Sequence, residues 1–226
     1  DTFGFKNFKA RISVRDPKTP AKYMGDPKTW DKAEAALIEA IKSRQVEYFI
    51  GEGEAAFYGP KIDIMVKDAL GREWQITTIQ LDFVQPENFD MKYVNEEGKE
   101  ERPAVLHCAI LGSVDRFLGI LIEHYAGAFP YWLSPVQVVV IPISQDQNAY
   151  AAKVLVELNK AGIRAENWNE AESMQNRIRK AEHQKIPYML VVGKREEADE
   201  AVAVRARGNV NEGVKKIEEW IYAFSP

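Results

Sequence analysis

Cysteine and histidine are scarce in this chain, whose 226 residues include one cysteine, Cys108, and three histidines. A single cysteine excludes an internal disulfide and fits a reducing compartment. No apolar run approaches the roughly 18–20 residues of a membrane-spanning helix, and no signal-peptide pattern opens the sequence. We therefore expect a soluble, cytoplasmic protein that has no membrane partner.

Several common catalytic motifs are also missing. The sequence has no P-loop, no GxGxxG after a predicted strand, no GxSxG and no HExxH, so the usual signatures of nucleotide-binding, hydrolase and zinc-protease sites are excluded. An excess of positive charge is missing as well, because residues 1–133 carry a net charge of −4 and residues 134–226 carry 0. Nucleic-acid binding would therefore require a local basic patch.

The first 133 residues have the patterns of an antiparallel sheet with helices. Apolar residues from Trp30 to Ile41 recur every three or four positions, which predicts a helix with Thr29 as its N-cap and an end near Arg44. The following segment, 51–59, is punctuated by glycines.

A strand hairpin is predicted further on. Apolar residues alternate over 62–66, a turn falls at 68–72, and residues 73–83 read as the returning strand. Strict alternation along that strand places Gln75 and Thr78 on opposite faces of the sheet.

The composition changes at residues 130–135, and beyond them strands and helices alternate. The unbroken apolar run at 136–143 is typical of a strand that is covered on both faces. This pattern predicts a separate, compact α/β domain over residues 134–226, which ends in a helix at 211–223.

Polar side chains interrupt three stretches of the first domain that otherwise read as buried. They belong to Tyr58, Lys61, Gln75, Gln80, His107 and Arg116. Because a buried polar group without a partner costs about 1–3 kcal/mol, such groups are paired or face a cavity. We therefore predict a polar pocket that is built on a sheet.

His107 and Cys108 are adjacent, which suggests a nucleophilic pair or two metal ligands. Neighbouring side chains of a strand point to opposite faces, so the two cannot converge on one atom. We interpret Cys108 as a small, buried apolar residue. His107 alone has two interpretations, a hydrogen-bonded core histidine or a metal ligand.

The arginines also leave alternatives open. Arg116 could form an ion pair with a carboxylate or could clamp a phosphate or a base. The cations near the predicted helix at 173–184 form either a solvated face or, together with Arg205, an RNA-binding surface. They are Arg177, Arg179, Lys180 and Lys185.

Four sequence strings together resemble the threonyl-tRNA synthetases, which are class II aminoacyl-tRNA synthetases. They are FYGPKID, TIQLDF, AILGS-x-x-RF-x-GILIEHYAGAFP and W-L-x-PVQVVV. The resemblance covers almost the whole chain. It implies a mixed α/β and α+β fold, with part of the antiparallel class II catalytic sheet in residues 1–133 and a compact α/β anticodon-binding domain in residues 134–226.

The resemblance also implies roles for individual residues. Arg116 matches the motif 3 arginine, which is catalytic and lies over the adenine of ATP, and Gln75 and Thr78 match positions that face ATP. Tyr58 and Gln80 match positions at the threonine pocket. His107 matches one of three zinc ligands. In the second domain, the positions that match contacts to the anticodon are Arg179, Glu196 and Arg205.

The implied reaction is the ATP-dependent activation of threonine and its transfer to cognate tRNA, with Zn²⁺, ATP and Mg²⁺ and, in the full-length enzyme, a homodimer. Some positions depart from the family pattern, notably Ile76, Thr77, Cys108 and the segment 168–172. Nothing in the sequence matches class II motifs 1 and 2 or the other two zinc ligands. We therefore expect a C-terminal part that is inactive alone.

Two other hypotheses remain open. The chain could be a non-catalytic RNA-binding module that uses only residues 134–226. It could also belong to another class II synthetase with the same anticodon-binding domain, such as a prolyl, glycyl or histidyl enzyme.

Overall fold

The computed structural model describes residues 2–224, which divide into two compact units between His124 and Tyr125. We call them the N-terminal unit and the C-terminal unit. No helix in this part of the chain is long and apolar enough to cross a membrane.

The N-terminal unit is built on a five-stranded sheet with the order β2-β1-β3-β4-β7. Strands β1 and β2 are parallel, and the other neighbours are antiparallel. The strands are β1 (Phe8–Val14), β2 (Tyr48–Glu52), β3 (Lys61–Lys67), β4 (Glu73–Asp82), β5 (Tyr93–Val94), β6 (Glu100–Glu101) and β7 (Val105–Ala109). The helices are α1 (Pro27–Ser43), α2 (Gln85–Asn88) and α3 (Val114–Tyr125).

Helix α1 covers one face of this sheet. Its buried Leu37 and Ile41 pack in one cluster with Ala10, Ile12 and Ile62 of strands β1 and β3. Because side chains alternate along a strand, residues 11, 13, 61 and 63 lie on the opposite face. That opposite face, which we call the polar face, carries the candidate site.

The predicted start of α1 is wrong by three residues. Asp26 is the N-cap, and its carboxylate accepts a hydrogen bond from the backbone N–H of Thr29 at 3.2 Å. Pro27 follows at the first helical position, where its missing N–H is not needed. The glycine-punctuated segment at 51–59 begins within strand β2, because Tyr48–Glu52 pairs with β1.

The hairpin of β3 and β4 is irregular. Its register shifts between Ile64 and Met65, so that Ile64 pairs with Thr77 and Met65 pairs with Gln75. The extra residue, Ile76, makes a β-bulge. The bulge reverses the alternation N-terminal to it, which places Gln75 on the same face as Thr78. The expectation of opposite faces is therefore wrong.

The C-terminal unit is built on a second five-stranded sheet with the order β12-β11-β10-β8-β9. Strands β8, β9 and β10 are parallel, and β11 and β12 complete the sheet in antiparallel pairing. The strands are β8 (Val138–Pro142), β9 (Ala165–Asn167), β10 (Tyr188–Val192), β11 (Ala201–Ala206) and β12 (Val210–Lys216). The helices are α4 (Asn148–Lys160), α5 (Met174–His183), α6 (Lys194–Ala198) and α7 (Ile217–Phe224).

Helices cover both faces of this sheet, as the apolar run at 136–143 predicts. On one face, Val140 and Leu190 pack against Leu158 of α4 and Trp220 of α7. The other face packs against Ile178 and Ala181 of α5. All five residues of β8 are buried.

The predicted final helix at 211–223 is wrong in its first half. Residues Val210–Lys216 pair with β11, and only Ile217–Phe224 is helical. Gly208 and Asn209 have φ angles of 84° and 62°, which is the geometry of a tight hairpin turn. The hairpin adds β12 as an edge strand of the sheet.

Candidate functional site

The polar face of the N-terminal sheet gathers side chains from four strands. Strand pairing places Asp63 opposite Thr78, Lys61 opposite Gln80, and Gln80 opposite His107. Residues that are paired in this way present their side chains on the same face, about 4.5–5.5 Å apart at Cβ. The structure thus places these polar side chains on one face of three neighbouring strands, β3, β4 and β7.

Asp63 is the centre of this face. Its side chain is fully buried, with 0% of its surface exposed, and its carboxylate accepts hydrogen bonds from five side chains. Oδ2 accepts from Lys61 Nζ at 2.7 Å, Ser13 Oγ at 2.8 Å and Arg11 Nη2 at 3.0 Å. Oδ1 accepts from Gln75 Nε2 at 2.6 Å and Thr78 Oγ1 at 2.8 Å.

The charge state of Asp63 follows from these contacts. Burial raises the pKa of the Asp63 carboxyl, but hydrogen bonds from Lys61, Ser13, Thr78 and Arg11 lower it by more, so that it lies below the ordinary value of 3.8. Asp63 is therefore ionised at neutral pH. Two cations, Lys61 and Arg11, lie beside this buried charge, as a buried carboxylate requires.

A second group of polar residues lies on β4, β7 and the loop before β3. Tyr58 donates a hydrogen bond from its hydroxyl to Gln80 Oε1 at 3.1 Å, and its ring packs edge-on against the His107 ring with centroids 6.2 Å apart. Gln80 is buried, with 7% of its surface exposed. Its Nε2 atom has no hydrogen-bond partner among the described residues.

His107 is oriented by Asp82. One ring nitrogen, Nε2, lies 2.9 Å from Asp82 Oδ2, and the His107 side chain is 50% exposed while that of Asp82 is fully buried. The other oxygen of Asp82 accepts from the backbone N–H groups of Val84 and Gln85. The interpretation as a core histidine is wrong, because half of the side chain is exposed. A carboxylate that fixes the ring in this way is the usual second partner of a metal-binding histidine, so the metal-ligand interpretation stays a prediction.

The described residues supply only part of a zinc site. No group of three or more His, Cys, Asp or Glu residues in 2–224 is arranged to hold a metal ion. A zinc ion with three protein ligands could take one of them from His107, through the ring nitrogen that does not bond to Asp82. The remaining ligands would have to come from outside residues 2–224.

Cys108 does not occupy the interior. Strand pairing places it opposite Ile79 on the face away from His107, as alternation predicts, but its side chain is exposed. The expectation of a small buried residue is therefore wrong. Strand β7 is an edge strand of the sheet.

Arg116 lies in the first turn of α3, and its side chain is exposed. Its guanidinium carbon is 6.0 Å from the centre of the Trp74 ring, a distance at which a cation–π contact is still favourable. Within residues 2–224, no hydrogen bond or ion pair joins Arg116 to Asp63, Gln80 or His107. The structure thus brings five of the six predicted polar residues together and leaves Arg116 beside Trp74.

In the C-terminal unit, the three predicted RNA-binding residues lie on different elements. Arg179 is exposed on α5, where it helps to line a groove of about 330 Å³. Arg205 pairs with Met189, so it lies on the sheet face that α5 covers. Glu196 accepts a hydrogen bond from the backbone N–H of Gly193 at 2.9 Å and so caps the start of α6.

One cation of α5 does not belong to its solvated face. Arg177 is buried, with 4% of its surface exposed, and donates from Nη1 to the carbonyl oxygen of Trp168 at 2.6 Å. The expectation that it shares an exposed face with Arg179 and Lys180 is therefore wrong. The helical period places residue 177 beside Ile178 at the core boundary.

The sequence analysis did not single out four residues that hold the site together, Arg11, Ser13, Asp63 and Asp82. The alternation of Arg11 and Ser13 with Ile12 and Val14 was a usable signal, because it places both polar residues on one face of β1. Asp63 follows Lys61 at the same two-residue spacing. Their convergence depends on long-range strand pairing, which local patterns do not show.

Comparison with known proteins supports a class assignment. Residues 2–125 match the family model "tRNA synthetase class II core domain (G, H, P, S and T)", and residues 137–224 match the model "Anticodon binding domain". The first match covers more than half of the chain. The chain therefore belongs to the class II aminoacyl-tRNA synthetases.

Individual relatives narrow this assignment to the threonyl-tRNA synthetases, and the resemblance that the motifs indicate is confirmed. A threonine–tRNA ligase of Thermus thermophilus is 53% identical over 220 residues, which are 97% of this chain and 33% of that protein. The chain thus spans about a third of the length of the curated relatives it matches.

Solved structures agree with the fold. The RNA binding domain of threonyl-tRNA synthetase from Cryptosporidium parvum Iowa II has a TM-score of 0.91 at 36% identity, over 99% of this chain and 56% of that chain. A putative threonyl-tRNA synthetase ThrRS-1 from Aeropyrum pernix has a TM-score of 0.73 at 29% identity, over 96% of this chain and 52% of that chain. The predicted combination of a class II sheet and an anticodon-binding domain is confirmed.

Proposed function

We propose that this chain acts as the C-terminal part of a threonine–tRNA ligase, a cytoplasmic enzyme that uses ATP and Mg²⁺. In the first step, the threonine carboxylate attacks the α-phosphorus of ATP, which forms threonyl-adenylate and releases pyrophosphate. In the second step, a hydroxyl of the terminal tRNA ribose attacks the threonyl carbonyl and releases AMP. Identity to threonine–tRNA ligases over 97% of the chain supports this proposal.

The unpaired Nε2 atom of buried Gln80 is the observation that supports placing the substrate threonine here. A buried donor without an acceptor costs about 1–3 kcal/mol, so this position favours a ligand with an oxygen atom. The hydroxyl oxygen of Tyr58, which already donates to Gln80, still has lone pairs that can accept from an ammonium group. The pair therefore offers one donor and one acceptor to an amino acid.

We place the nucleotide beside this group. Gln75 and Thr78 lie on the polar face next to Asp63. The match to the motif 3 arginine assigns Arg116 to the same ATP site, although its guanidinium lies beside Trp74 in the structure. Arg116 supplies a guanidinium that can stack on the adenine and pair with phosphate. Mg²⁺ would neutralise the phosphate charge as the adenylate forms.

A zinc ion would give the pocket its selectivity. When bound, such an ion supplies a Lewis acid that coordinates the threonine amino and hydroxyl groups, and valine has no hydroxyl. In this chain, the role of His107 is to supply one ligand, and the role of Asp82 is to hold the imidazole in one orientation. The other two ligands belong to the family pattern outside this chain.

The C-terminal unit would bind the anticodon of tRNA(Thr). Arg179 and Arg205 offer guanidinium groups from α5 and from the sheet face under it, and Glu196 offers a carboxylate in the first turn of α6. Guanidinium groups contact both phosphates and base edges of RNA, and a carboxylate accepts from base amino groups. The full-length enzyme is proposed to be a homodimer.

Pyrophosphate exchange with a panel of amino acids tests this function. The full-length polypeptide that contains this chain should exchange pyrophosphate into ATP with threonine, and far less with serine, valine, proline, glycine or histidine. The 226-residue chain alone should show little or no exchange, because the motif 2 arginine that binds the α-phosphate is not matched in it. Preference of the full-length polypeptide for another amino acid would overturn the assignment.

A second function has a specific observation in its favour. The C-terminal unit forms its own sheet with two apolar cores and matches an anticodon-binding model, so it could act as an RNA-binding module without catalysis. Binding of a tRNA anticodon stem-loop by the 226-residue chain, combined with no pyrophosphate exchange by the full-length polypeptide with any amino acid, would favour this alternative.

A further inference from the structure

We propose that Arg11 and Asp63 are positioning residues that fix the orientation of the Gln75 carboxamide, so that Gln75 presents only a hydrogen-bond acceptor to the nucleotide. This inference rests on the proposed function, because it concerns the same ATP site. It adds two residues of the sheet to that site and specifies which chemical group of the nucleotide Gln75 can recognise.

The donors of Gln75 are both occupied within the protein. Its Nε2 atom donates to Asp63 Oδ1 at 2.6 Å and to Thr78 Oγ1 at 2.7 Å. A carboxamide nitrogen carries two N–H donors, so neither remains for a ligand. The Oε1 atom accepts from Arg11 Nη2 at 2.9 Å, and a carboxamide oxygen has two lone pairs. One lone pair remains.

The neighbours of Gln75 exclude the opposite orientation of the amide. Arg11 is a donor only, and ionised Asp63 is an acceptor only. If the carboxamide were rotated by half a turn, its NH₂ group would face the Arg11 guanidinium and its oxygen would face the Asp63 carboxylate. Both contacts would be repulsive, and the Nε2 contact to a buried charge would be lost.

Arg11 and Asp63 are themselves held in place. Asp63 accepts from Ser13 and Lys61, and Arg11 also lies 3.3 Å from Glu54 through Nη1. The side chain of Arg11 is largely buried, with 16% exposed. The bulge at Ile76 brings Gln75 onto the face where these groups lie. Gln75 is thus oriented by a network that spans β1, β3 and β4.

The remaining lone pair limits what Gln75 can bind. The triphosphate of ATP offers only acceptors at neutral pH, so it cannot be the partner. The donors of ATP are the two ribose hydroxyls and the 6-amino group of adenine. Gln75 therefore recognises the nucleoside, through one of these three groups, rather than the reacting phosphates.

The first test does not depend on enzymatic activity. In the 226-residue chain, the two side-chain N–H protons of Gln75 should exchange with solvent about five- to tenfold more slowly than those of an exposed glutamine, as measured by ¹⁵N-edited NMR. Arg11→Lys and Asp63→Asn should remove this protection. Arg15→Lys and Glu34→Gln are matched controls, because Arg15 directly follows β1 and forms an ion pair with Glu34 of α1, and neither residue bonds to Gln75.

The second test uses the full-length polypeptide and three ATP analogues, which lack the 2′-hydroxyl, the 3′-hydroxyl or the 6-amino group. One analogue should lose about tenfold in kcat/KM relative to ATP, since it lacks the donor that pairs with the second lone pair of Gln75 Oε1. In Gln75→Ala, Arg11→Lys and Asp63→Asn, this loss should shrink to less than about threefold. The two control variants should keep the wild-type ratio.

The outcomes separate this inference from the proposed function. Discrimination that is unchanged in both Arg11→Lys and Asp63→Asn, or unprotected Gln75 protons in the wild-type chain, would overturn the inference while leaving the ligase assignment intact. Absence of pyrophosphate exchange in the wild-type enzyme would overturn the assignment, and the NMR test would then still decide whether Arg11 and Asp63 orient Gln75.

Discussion

Gly59 lies where the loop before β3 crosses β4, and the crossing is so close that no larger residue fits. An ideal Cβ on Gly59 would lie 1.7 Å from the carbonyl oxygen of Leu81. Real Cβ atoms essentially never come closer than 3.0 Å to such an atom. Gly59→Ala must therefore move the loop or the strand by more than about 1 Å.

This movement costs free energy of folding because the Leu81 carbonyl belongs to the backbone and cannot move aside as a flexible side chain would. Overpacking costs about 1–3 kcal/mol, and the N–H of Leu81 also bonds to the carbonyl of Pro60 at 3.1 Å. We expect Gly59→Ala to lower the free energy of unfolding by about 3 kcal/mol. Since the loop carries Tyr58 and β4 carries Gln80, their hydrogen bond should be lost as well.

Gly119→Ala is the matched control. Gly119 lies within α3, and nothing lies within 4 Å of its ideal Cβ. The same chemical change should stabilise the protein by about 0.5–1 kcal/mol there, because alanine has the higher helix propensity. Urea denaturation of the 226-residue chain measures both effects. A Gly59→Ala variant within about 0.5 kcal/mol of wild type would refute the steric argument.

Three further predictions concern stability. Asp26→Ala should lower the free energy of unfolding by about 1 kcal/mol, because the backbone N–H of Thr29 loses its cap, and thermal denaturation measures this. Leu190→Ala should cost about 2–5 kcal/mol, since Leu190 is fully buried between two helices, and a denaturant midpoint near wild type would contradict that. Because the pKa of the Asp63 carboxyl is lowered in the folded protein, the ionised carboxylate should contribute its full stabilisation above about pH 5. As pH falls through 3.8 towards the lower folded pKa, the stability difference between wild type and Asp63→Asn should shrink, and a difference that grows with acid would contradict this sign.

Much of the fold follows from short patterns. The apolar run at 136–143 correctly indicates a strand that is covered on both faces, and the resemblance to the family indicates how the elements assemble. Residues 211–216 were predicted as the start of the final helix, although Asn211, Gly213 and Val214 are weak helix formers. They form strand β12 instead, because the turn at Gly208 and Asn209 returns the chain along the edge of β11.

The candidate site was only partly predictable. Alternation correctly places Lys61 and Asp63 on one face, and the motifs identify Gln75, Thr78 and Gln80. The bulge at Ile76 has no local signal, because register depends on the partner strand. The contact between Arg11 and Gln75 joins residues 64 positions apart, so it appears only once the sheet is assembled.

The central claim is that Gln80 and its neighbours bind threonine beside a nucleotide. The most direct test is calorimetric titration of the full-length polypeptide with a non-hydrolysable threonyl-adenylate and with its valyl counterpart, for wild type and Gln80→Leu. We predict that wild type binds the threonyl compound at least about tenfold more tightly than the valyl compound, and that Gln80→Leu loses at least about tenfold in threonyl affinity. Equal binding of the two compounds by wild type, or an unchanged affinity in Gln80→Leu, would contradict the account.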